Sequence, residues 1–111
     1  MVIKLKNKHI LEVDEFQFRC CIGKKGTTNR KVEGDLCTPK GTFKLKEIFF
    51  RNDRVKPFPM KIKKRKISKN MGWCDDIKSK KYNKLINIRE KCRHEKLYRK
   101  DNKYDYLIVI D

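Results

Sequence analysis

Residues 33–45 read E-G-D-L-C-T-P-K-G-T-F-K-L and form the most sharply punctuated stretch of the chain. Gly34 and Asp35 favour a tight turn, because an aspartate side chain can accept hydrogen bonds from amides that follow it. Pro39 disfavours helical geometry in Thr38, so the backbone there should be extended. The stretch therefore predicts a turn followed by an extended approach to the next element.

The second half of this stretch leads into a strand. Gly41 can take a backbone conformation that is closed to residues with a Cβ. Apolar and polar residues then alternate over residues 42–46, with Phe43 as the first aromatic. Strict alternation is the pattern of a half-buried strand. We predict a rigid, bent loop that re-enters a sheet near Phe43.

The residues before the loop alternate with period two. Apolar positions at 2–5, 10–13 and 16–22 are separated by turn candidates at Asn7-Lys8 and Asp14-Glu15. Short alternating runs with such turns are typical of hairpins. We therefore expect a mainly β fold, an antiparallel meander or sandwich, with at most one or two short helices.

The middle of the chain gives fewer signals. Pro57-Phe58-Pro59 excludes a regular helix, since proline lacks the amide donor. Residues 60–70 read as a strand or loop with a basic outer face. A short helix is predicted over residues 91–99, where Cys92, Glu95 and Leu97 recur at a weakly helical spacing.

Residues 104–111, Y-D-Y-L-I-V-I-D, are the most apolar stretch of the chain. Such a run predicts a central strand that is buried on both faces. A central strand needs a neighbour on each side. We therefore expect a fold that is incomplete at its carboxyl end, with more sheet to follow.

Size and charge allow one small domain with a modest core. The chain has 111 residues and a formal net charge of +17. Either a polyanion partner or a coding bias towards Lys, Asn and Ile explains this charge. No run approaches the ~20 apolar residues of a membrane helix, and no signal peptide is visible.

Five cysteines are present, and none has a partner at C-x-x-C spacing. The simplest interpretation is five buried or half-buried apolar side chains. Asp75 and Asp76 next to Cys74 disfavour a thiolate there. Cys92 and His94 would share a face only on a strand, which gives weak support for a catalytic pair.

The order of these features resembles the L,D-transpeptidase catalytic domain (YkuD-type) of bacteria. That family shows a strand ending in glycine, a variable loop and then T-P-x-G-x-F. The corresponding residues here are Gly23, Gly26, Gly34, Asp35, Thr38, Pro39, Gly41 and Phe43. Residues 71–76 (M-G-W-C-D-D), Tyr82-Asn83, residues 94–101 and Tyr104-Asp105 resemble a compact subgroup of the family.

The resemblance implies cysteine acyl transfer on peptidoglycan stem peptides, in the periplasm or cell envelope, without a metal or organic cofactor. In the family a thiolate attacks the carbonyl before a terminal D-amino acid, a histidine acts as base, and the nucleophile follows a glycine. No Gly-Cys pair occurs here and no histidine follows His94. We therefore assign no catalytic residue and expect residues 1–111 to be a partial, inactive catalytic domain.

The resemblance also suggests roles for other residues. Gly34, Asp35, Thr38, Pro39, Gly41 and Phe43 would form a structural motif near the family's site. Trp73, Asp75, Asp76 and His94 would lie on the substrate side. The alternative is a basic nucleic-acid-binding module without catalysis, in which aromatic residues stack on bases; the candidates are Phe49, Phe50, Trp73 and Tyr98.

Overall fold

The computed structural model describes residues 1–57 and 59–111, so the middle residue of the Pro57-Phe58-Pro59 prediction lies outside the described residues. The described residues contain strands and no helix, which confirms a mainly β fold. Within them no helix is long and apolar enough to cross a membrane. The strands are β1 (Ile3–Asn7), β2 (Ile10–Val13), β3 (Phe16–Arg19), β4 (Thr27–Thr28), β5 (Thr38–Pro39), β6 (Leu45–Phe50), β7 (Lys63–Lys66), β8 (Met71–Cys74), β9 (Leu85–Asn87), β10 (His94–Lys96) and β11 (Tyr106–Ile110).

Residues Met1–Thr42 form one compact unit, which begins with the predicted meander. Strands β1, β2 and β3 pair antiparallel in that order. The first turn is held by Asn7, whose Oδ1 accepts hydrogen bonds from the amides of His9 at 2.9 Å and Ile10 at 3.0 Å. Asp14 takes a positive φ of 52° in the second turn. Both predicted turns are therefore confirmed.

The third strand is shorter than predicted. It ends at Arg19, which pairs with Ile10, the first residue of β2. Beyond Arg19 no residue of β2 remains to pair with, so the chain leaves the sheet before Ile22. Later in this unit β4 and β5 pair in parallel, with Thr27 opposite Thr38.

Residues Phe43–Asp111 form a second compact unit with two three-stranded sheets. One sheet has the order β11-β6-β7 and the other has the order β10-β8-β9. Strands β6 and β7 run parallel, with Phe49 opposite Arg65. The expected antiparallel pairing holds for the other strands of this unit, and the pair of β6 with β7 is a parallel exception. A parallel pair needs a crossover, and the connection that contains Pro57 and Pro59 returns the chain to the starting end of β6.

The most apolar strand is not the central one. Strand β11 lies at the edge of its sheet and pairs with β6 alone among the described strands. Its Tyr106 and Ile110 are exposed. The central position belongs to β6, where Ile48, Phe49 and Phe50 are buried. The prediction that residues 104–111 form a central, doubly buried strand is wrong, because hydropathy alone does not report which strand has two neighbours.

The predicted helix over residues 91–99 is also absent. Strand β10 occupies this segment and pairs with β8, so that Glu95 lies opposite Trp73. The amide of Leu97 donates to the Met71 carbonyl at 3.1 Å, which continues the ladder. The local helical pattern did not decide the structure, because residues 94–97 supply the backbone hydrogen-bonding partner of β8.

The core of the second unit lies between its two sheets. Phe49 is fully buried, and its ring meets the Trp73 ring edge-on at a centroid distance of 6.1 Å. Each large side chain buried in this way contributes about 1.5–3 kcal/mol to folding. The residues that share this core with Phe49 are Ile67, Leu97, Met71, Trp73, Leu85, Tyr98, Tyr104, Leu107 and Val109.

Arg51 follows β6 and is almost completely buried. Its Nε and Nη2 donate to the two carboxylate oxygens of Asp53 at 2.9 and 2.8 Å, and its Nη1 donates to the Arg99 carbonyl at 2.6 Å. The guanidinium also stacks on the Tyr98 ring at 3.6 Å. The hydrogen bond from Arg51 is the main reason that the pKa of Asp53 falls to about 2. Arg51 thereby ties the end of β6 to the segment that precedes β11.

We predict that Arg51→Lys lowers the melting temperature by roughly 10 °C or more. Lysine keeps the charge but lacks the planar fork that Asp53 and the Arg99 carbonyl require. Thermal unfolding followed by circular dichroism measures this change. Arg99→Lys is the matched control, because the Arg99–Asp101 ion pair is much more exposed. Equal shifts in the two variants would show that the buried guanidinium has no special role.

Candidate functional site

The loop that the sequence singled out is held by Thr38. The Gly23 amide donates to Thr38 Oγ1 at 2.8 Å, and the Thr38 amide donates to the Gly26 carbonyl at 2.8 Å. The Lys40 amide donates to the Thr28 carbonyl at 2.8 Å, on the other side of Pro39. The proline lacks an amide proton, so the flanking amides carry the pairing of β4 with β5.

Gly23 allows a close approach of two backbone segments. A Cβ placed on it would lie 2.3 Å from the Leu36 carbonyl oxygen and 2.8 Å from two Cys37 backbone atoms. Such distances are far inside van der Waals contact, and backbone atoms cannot move aside as a flexible side chain can. The motif residues therefore fit together only because position 23 has no side chain.

Asp35 closes the turn at the start of the loop. Its Oδ1 accepts from the Cys37 amide at 2.9 Å and from Lys31 Nζ at 2.5 Å, and its Oδ2 accepts from the Val32 amide at 2.9 Å. The hydrogen bond from Lys31, followed by the two backbone amides, lowers the pKa of Asp35 to about 2. This confirms the predicted role of Asp35 in the turn.

The backbone torsions of the loop agree with its sequence. Gly34 has a φ of 82° and Gly41 has a φ of 142°, both in the region that favours glycine. Leu36 also has a positive φ, 59°, which no sequence signal announced. Phe43 is exposed and precedes β6, which begins at Leu45. The strand therefore starts later than the alternation over residues 42–46 predicted.

Trp73 and His94 belong to neighbouring strands but to opposite faces of one sheet. Trp73 lies opposite Glu95, and His94 lies opposite Cys74, one position along the ladder. Since side chains alternate between faces, these two cannot meet. The Trp73 ring faces the core, and its Nε1 donates to Asn83 Oδ1 at 3.0 Å. Trp73 is therefore half-buried and held at its polar edge.

The two carboxylates after β8 are both engaged in local structure. Asp75 Oδ1 accepts from Arg93 Nε at 3.2 Å, and the Asp75 carbonyl accepts from Arg93 Nη2 at 2.7 Å. Asp76 Oδ1 accepts from the Lys78 amide at 3.0 Å, which is an Asx-type turn. Asp76 therefore stabilises the turn that follows β8.

His94 is half-buried, and a carbonyl fixes the orientation of its ring. Nδ1 lies 2.8 Å from the Cys92 carbonyl oxygen, which can only accept, so Nδ1 carries the proton. In the neutral ring Nε2 is then the accepting nitrogen. Gly72 leaves room for this ring, because a Cβ there would lie 3.0 Å from His94 Cδ2.

The thiols nearest to His94 are those of Cys74 and Cys92. The Cys92 thiol shares a hydrogen bond with the Cys74 thiol, and this contact, together with burial, raises the pKa of Cys92. A nucleophilic cysteine needs the opposite shift, because the thiolate is the reactive form. Of the five cysteines, Cys21 is exposed, so the expectation of burial is wrong for that residue.

The described residues contain no group of three or more His, Cys, Asp or Glu side chains that could hold a metal ion. The substrate-side residues expected from the resemblance lie in or just beyond β8 and β10. No sequence signal pointed to Arg93, the partner of Asp75, and Asn83, the partner of Trp73, was named only through the family resemblance. Asn83 takes a φ of 59°, and asparagine is one of the few residues other than glycine that adopt this left-handed conformation readily.

A comparison with protein-family models identifies the family of this chain. The family model for the L,D-transpeptidase catalytic domain (YkuD) matches residues 1–109. The chain belongs to the L,D-transpeptidase catalytic-domain family. Comparisons with curated proteins and with solved structures returned no match. The family resemblance is therefore confirmed over nearly the whole chain.

Within this L,D-transpeptidase domain, Gly23→Ala should destabilise the fold by about 1–3 kcal/mol, because the added methyl overlaps backbone atoms. Chemical denaturation at neutral pH measures the change. The matched control is Lys24→Ala at the exposed next position, which should fall within about 0.5 kcal/mol of the parent. A parent-like midpoint for Gly23→Ala would contradict the close approach at Gly23.

Asp35→Asn should lower the melting temperature by a few degrees at pH 7. The folded-state pKa of Asp35, about 2, lies below its ordinary value of 3.8. The carboxylate therefore stabilises the fold above pH 4, and this contribution is lost as the pH falls towards 2. The difference between parent and variant should shrink over that interval in thermal scans. Lys31→Met, which keeps both backbone hydrogen bonds to Asp35, should show a smaller difference.

Proposed function

We propose that this chain serves in peptidoglycan remodelling as the framework of an L,D-transpeptidase domain. The observation that supports this is the family match over residues 1–109, combined with a T-P-x-G-x-F loop whose Thr38 and Asp35 are fully engaged. The reaction class is acyl transfer by a cysteine to and from stem peptides, as in the family.

We further propose that none of the five thiols acts as the nucleophile. Cys74 has no exposed surface, so a stem-peptide carbonyl cannot reach it. A hydrogen bond with Cys74, followed by burial, raises the pKa of Cys92 and so lowers the fraction of its reactive thiolate. No cysteine follows a glycine, which is the family's context for the nucleophile. These 111 residues alone should therefore form no thioacyl-enzyme.

The geometry of β8 and β10 reduces the set of residues that we propose to contact the substrate. Trp73 and His94 lie on opposite faces, so one stem peptide cannot contact both side chains. Trp73 contributes to the core, whereas His94 keeps an accepting Nε2 in its neutral form. We assign the substrate side to the His94 face and leave out Asp75, which pairs with Arg93 on the other face of the ladder.

The alternative function, a nucleic-acid-binding module, requires exposed aromatic rings, and most of the candidate rings are covered in the folded protein. Phe49 is 0% exposed and Phe50 is 4% exposed, so neither can stack on a base in the folded protein. One face of Tyr98 is covered by the Arg51 guanidinium at 3.6 Å. The prediction that these aromatics form stacking platforms is therefore wrong for Phe49 and Phe50.

The basic run at residues 61–66 is also divided between two faces. Side chains alternate along β7, so Lys63 and Arg65 share one face and Lys64 and Lys66 share the other. Glu47 lies 3.7 Å from Lys63 and 3.6 Å from Arg65, which neutralises part of the first pair. The +17 charge remains available for non-specific attraction to polyanions.

The test measures acylation of the chain by a stem peptide and binding of the chain to peptidoglycan and to DNA. The chain is incubated with a stem tetrapeptide, and intact-mass spectrometry looks for a thioacyl adduct. It is also sedimented with purified peptidoglycan and, separately, mixed with duplex DNA, at 50 and 500 mM salt. We expect no adduct, peptidoglycan retention that persists at 500 mM salt, and DNA binding that falls by more than about tenfold.

Two outcomes would overturn the proposal. A cysteine-dependent adduct would show that one of the five thiols is a competent nucleophile. DNA binding that persists at 500 mM salt with base selectivity, without retention on peptidoglycan, would establish the nucleic-acid module instead. A Lys64→Glu and Lys66→Glu double variant serves as a charge control, since retention that depends on charge alone should drop in it.

A further inference from the structure

The register of β8 and β10 brings two cysteines near one another. Cys74 lies opposite His94, and Cys92 precedes His94 by two residues, in the bend that leads into β10. The Asp75 amide donates to the Arg93 carbonyl at 3.1 Å. Cys74 and His94 therefore form the non-hydrogen-bonded type of pair, in which side chains on adjacent strands approach most closely. The Cys92 thiol lies diagonally across from Cys74 and shares a hydrogen bond with it.

The two thiols differ in how far they are buried. Cys74 is completely buried, whereas Cys92 is half-buried. The Ser79 side chain also hydrogen-bonds the Cys92 thiol, and the Lys81–Glu90 ion pair, at 2.7 Å, lies nearby. The peptidoglycan-remodelling chemistry proposed above uses neither thiol, so a separate role is open to the pair.

We propose that Cys74 and Cys92 form an intrachain disulfide when the protein meets a disulfide oxidant such as oxidised glutathione. The two thiols already interact across the end of the β8–β10 ladder, so the bond would join sulfurs that are neighbours in the reduced protein. This is a modification site independent of the proposed acyl-transfer function.

The exchange proceeds in two steps that balance. The more accessible thiol, Cys92, loses its proton and attacks one sulfur of the oxidant, which forms a mixed disulfide and releases one thiolate. Cys74 then loses its proton and attacks the Cys92 sulfur, and the second small thiol leaves. Overall two protein thiols are oxidised, and one oxidant disulfide is reduced to two thiols.

The bond would close a loop that contains β9 and would add a covalent link to the β8–β10 pairing. Such a link restricts the unfolded chain more than the folded one. The oxidised protein should therefore melt roughly 10 °C above the reduced protein. A cell envelope, where the family's substrate lies, is a compartment in which disulfides persist.

The test uses the full chain in its folded state. The protein is equilibrated with oxidised glutathione, free thiols are alkylated, and trypsin is added. Cleavage separates residues 70–78, which carry Cys74, from the dipeptide Cys92-Arg93. We expect these two peptides to be recovered joined by a disulfide, and a melting temperature raised by roughly 10 °C that dithiothreitol reverses.

The proposal fails if Cys74 is recovered alkylated while Cys92 is free or carries glutathione, with the fold intact by circular dichroism. Cys92→Ser is the matched variant and should show no linked peptide and no shift in melting temperature on oxidation. Cys21→Ser removes an exposed thiol outside the pair and should behave as the parent. A linked species of Cys74 with any other cysteine would also overturn the assignment.

Discussion

A buried guanidinium sets the frame of the second unit. Burying a charge is costly unless its hydrogen bonds are satisfied. Arg51 meets this demand with the Asp53 carboxylate, the Arg99 carbonyl and the Tyr98 ring. Asp53 is a local partner, but Tyr98 and Arg99 lie far from Arg51 in sequence, so satisfying this side chain fixes where the segment before β11 must run. The pairing of β11 with β6, and the core around Phe49, depend on that position.

In the first unit, side-chain oxygens satisfy backbone amides that have no partner in a strand ladder. Its loop is too irregular for a long ladder, so side-chain oxygens take the place of a neighbouring strand. Thr38 Oγ1 accepts the Gly23 amide, and Asp35 accepts the amides of Val32 and Cys37. Buried backbone donors need partners, and here the T-P-x-G-x-F motif and its preceding turn supply them. The family signature is therefore a structural device in this chain.

The chemistry of the chain follows from where its thiols lie. An L,D-transpeptidase acts through a reactive cysteine, yet the Cys74 and Cys92 thiols are turned towards each other beside β10. Their contact raises the pKa of Cys92 and lowers its thiolate fraction, and it leaves the two sulfurs beside each other for the disulfide proposed above. The alternation of side chains along β8 and β10 places Trp73 and His94 on opposite faces of the sheet.

The sequence by itself determined the mainly β class, the first meander with its turns at Asn7 and Asp14, the bent loop around Thr38, and the family. These features depend on local chemistry: alternation, turn residues, and glycine or proline at fixed positions. Only the tertiary structure decided that β6 and not β11 is central, that residues 94–96 form a strand, and that Phe49 and Phe50 are buried. The reason is that each of these depends on partners distant in sequence, and neither hydropathy nor a weak local stripe records which strand will lie alongside.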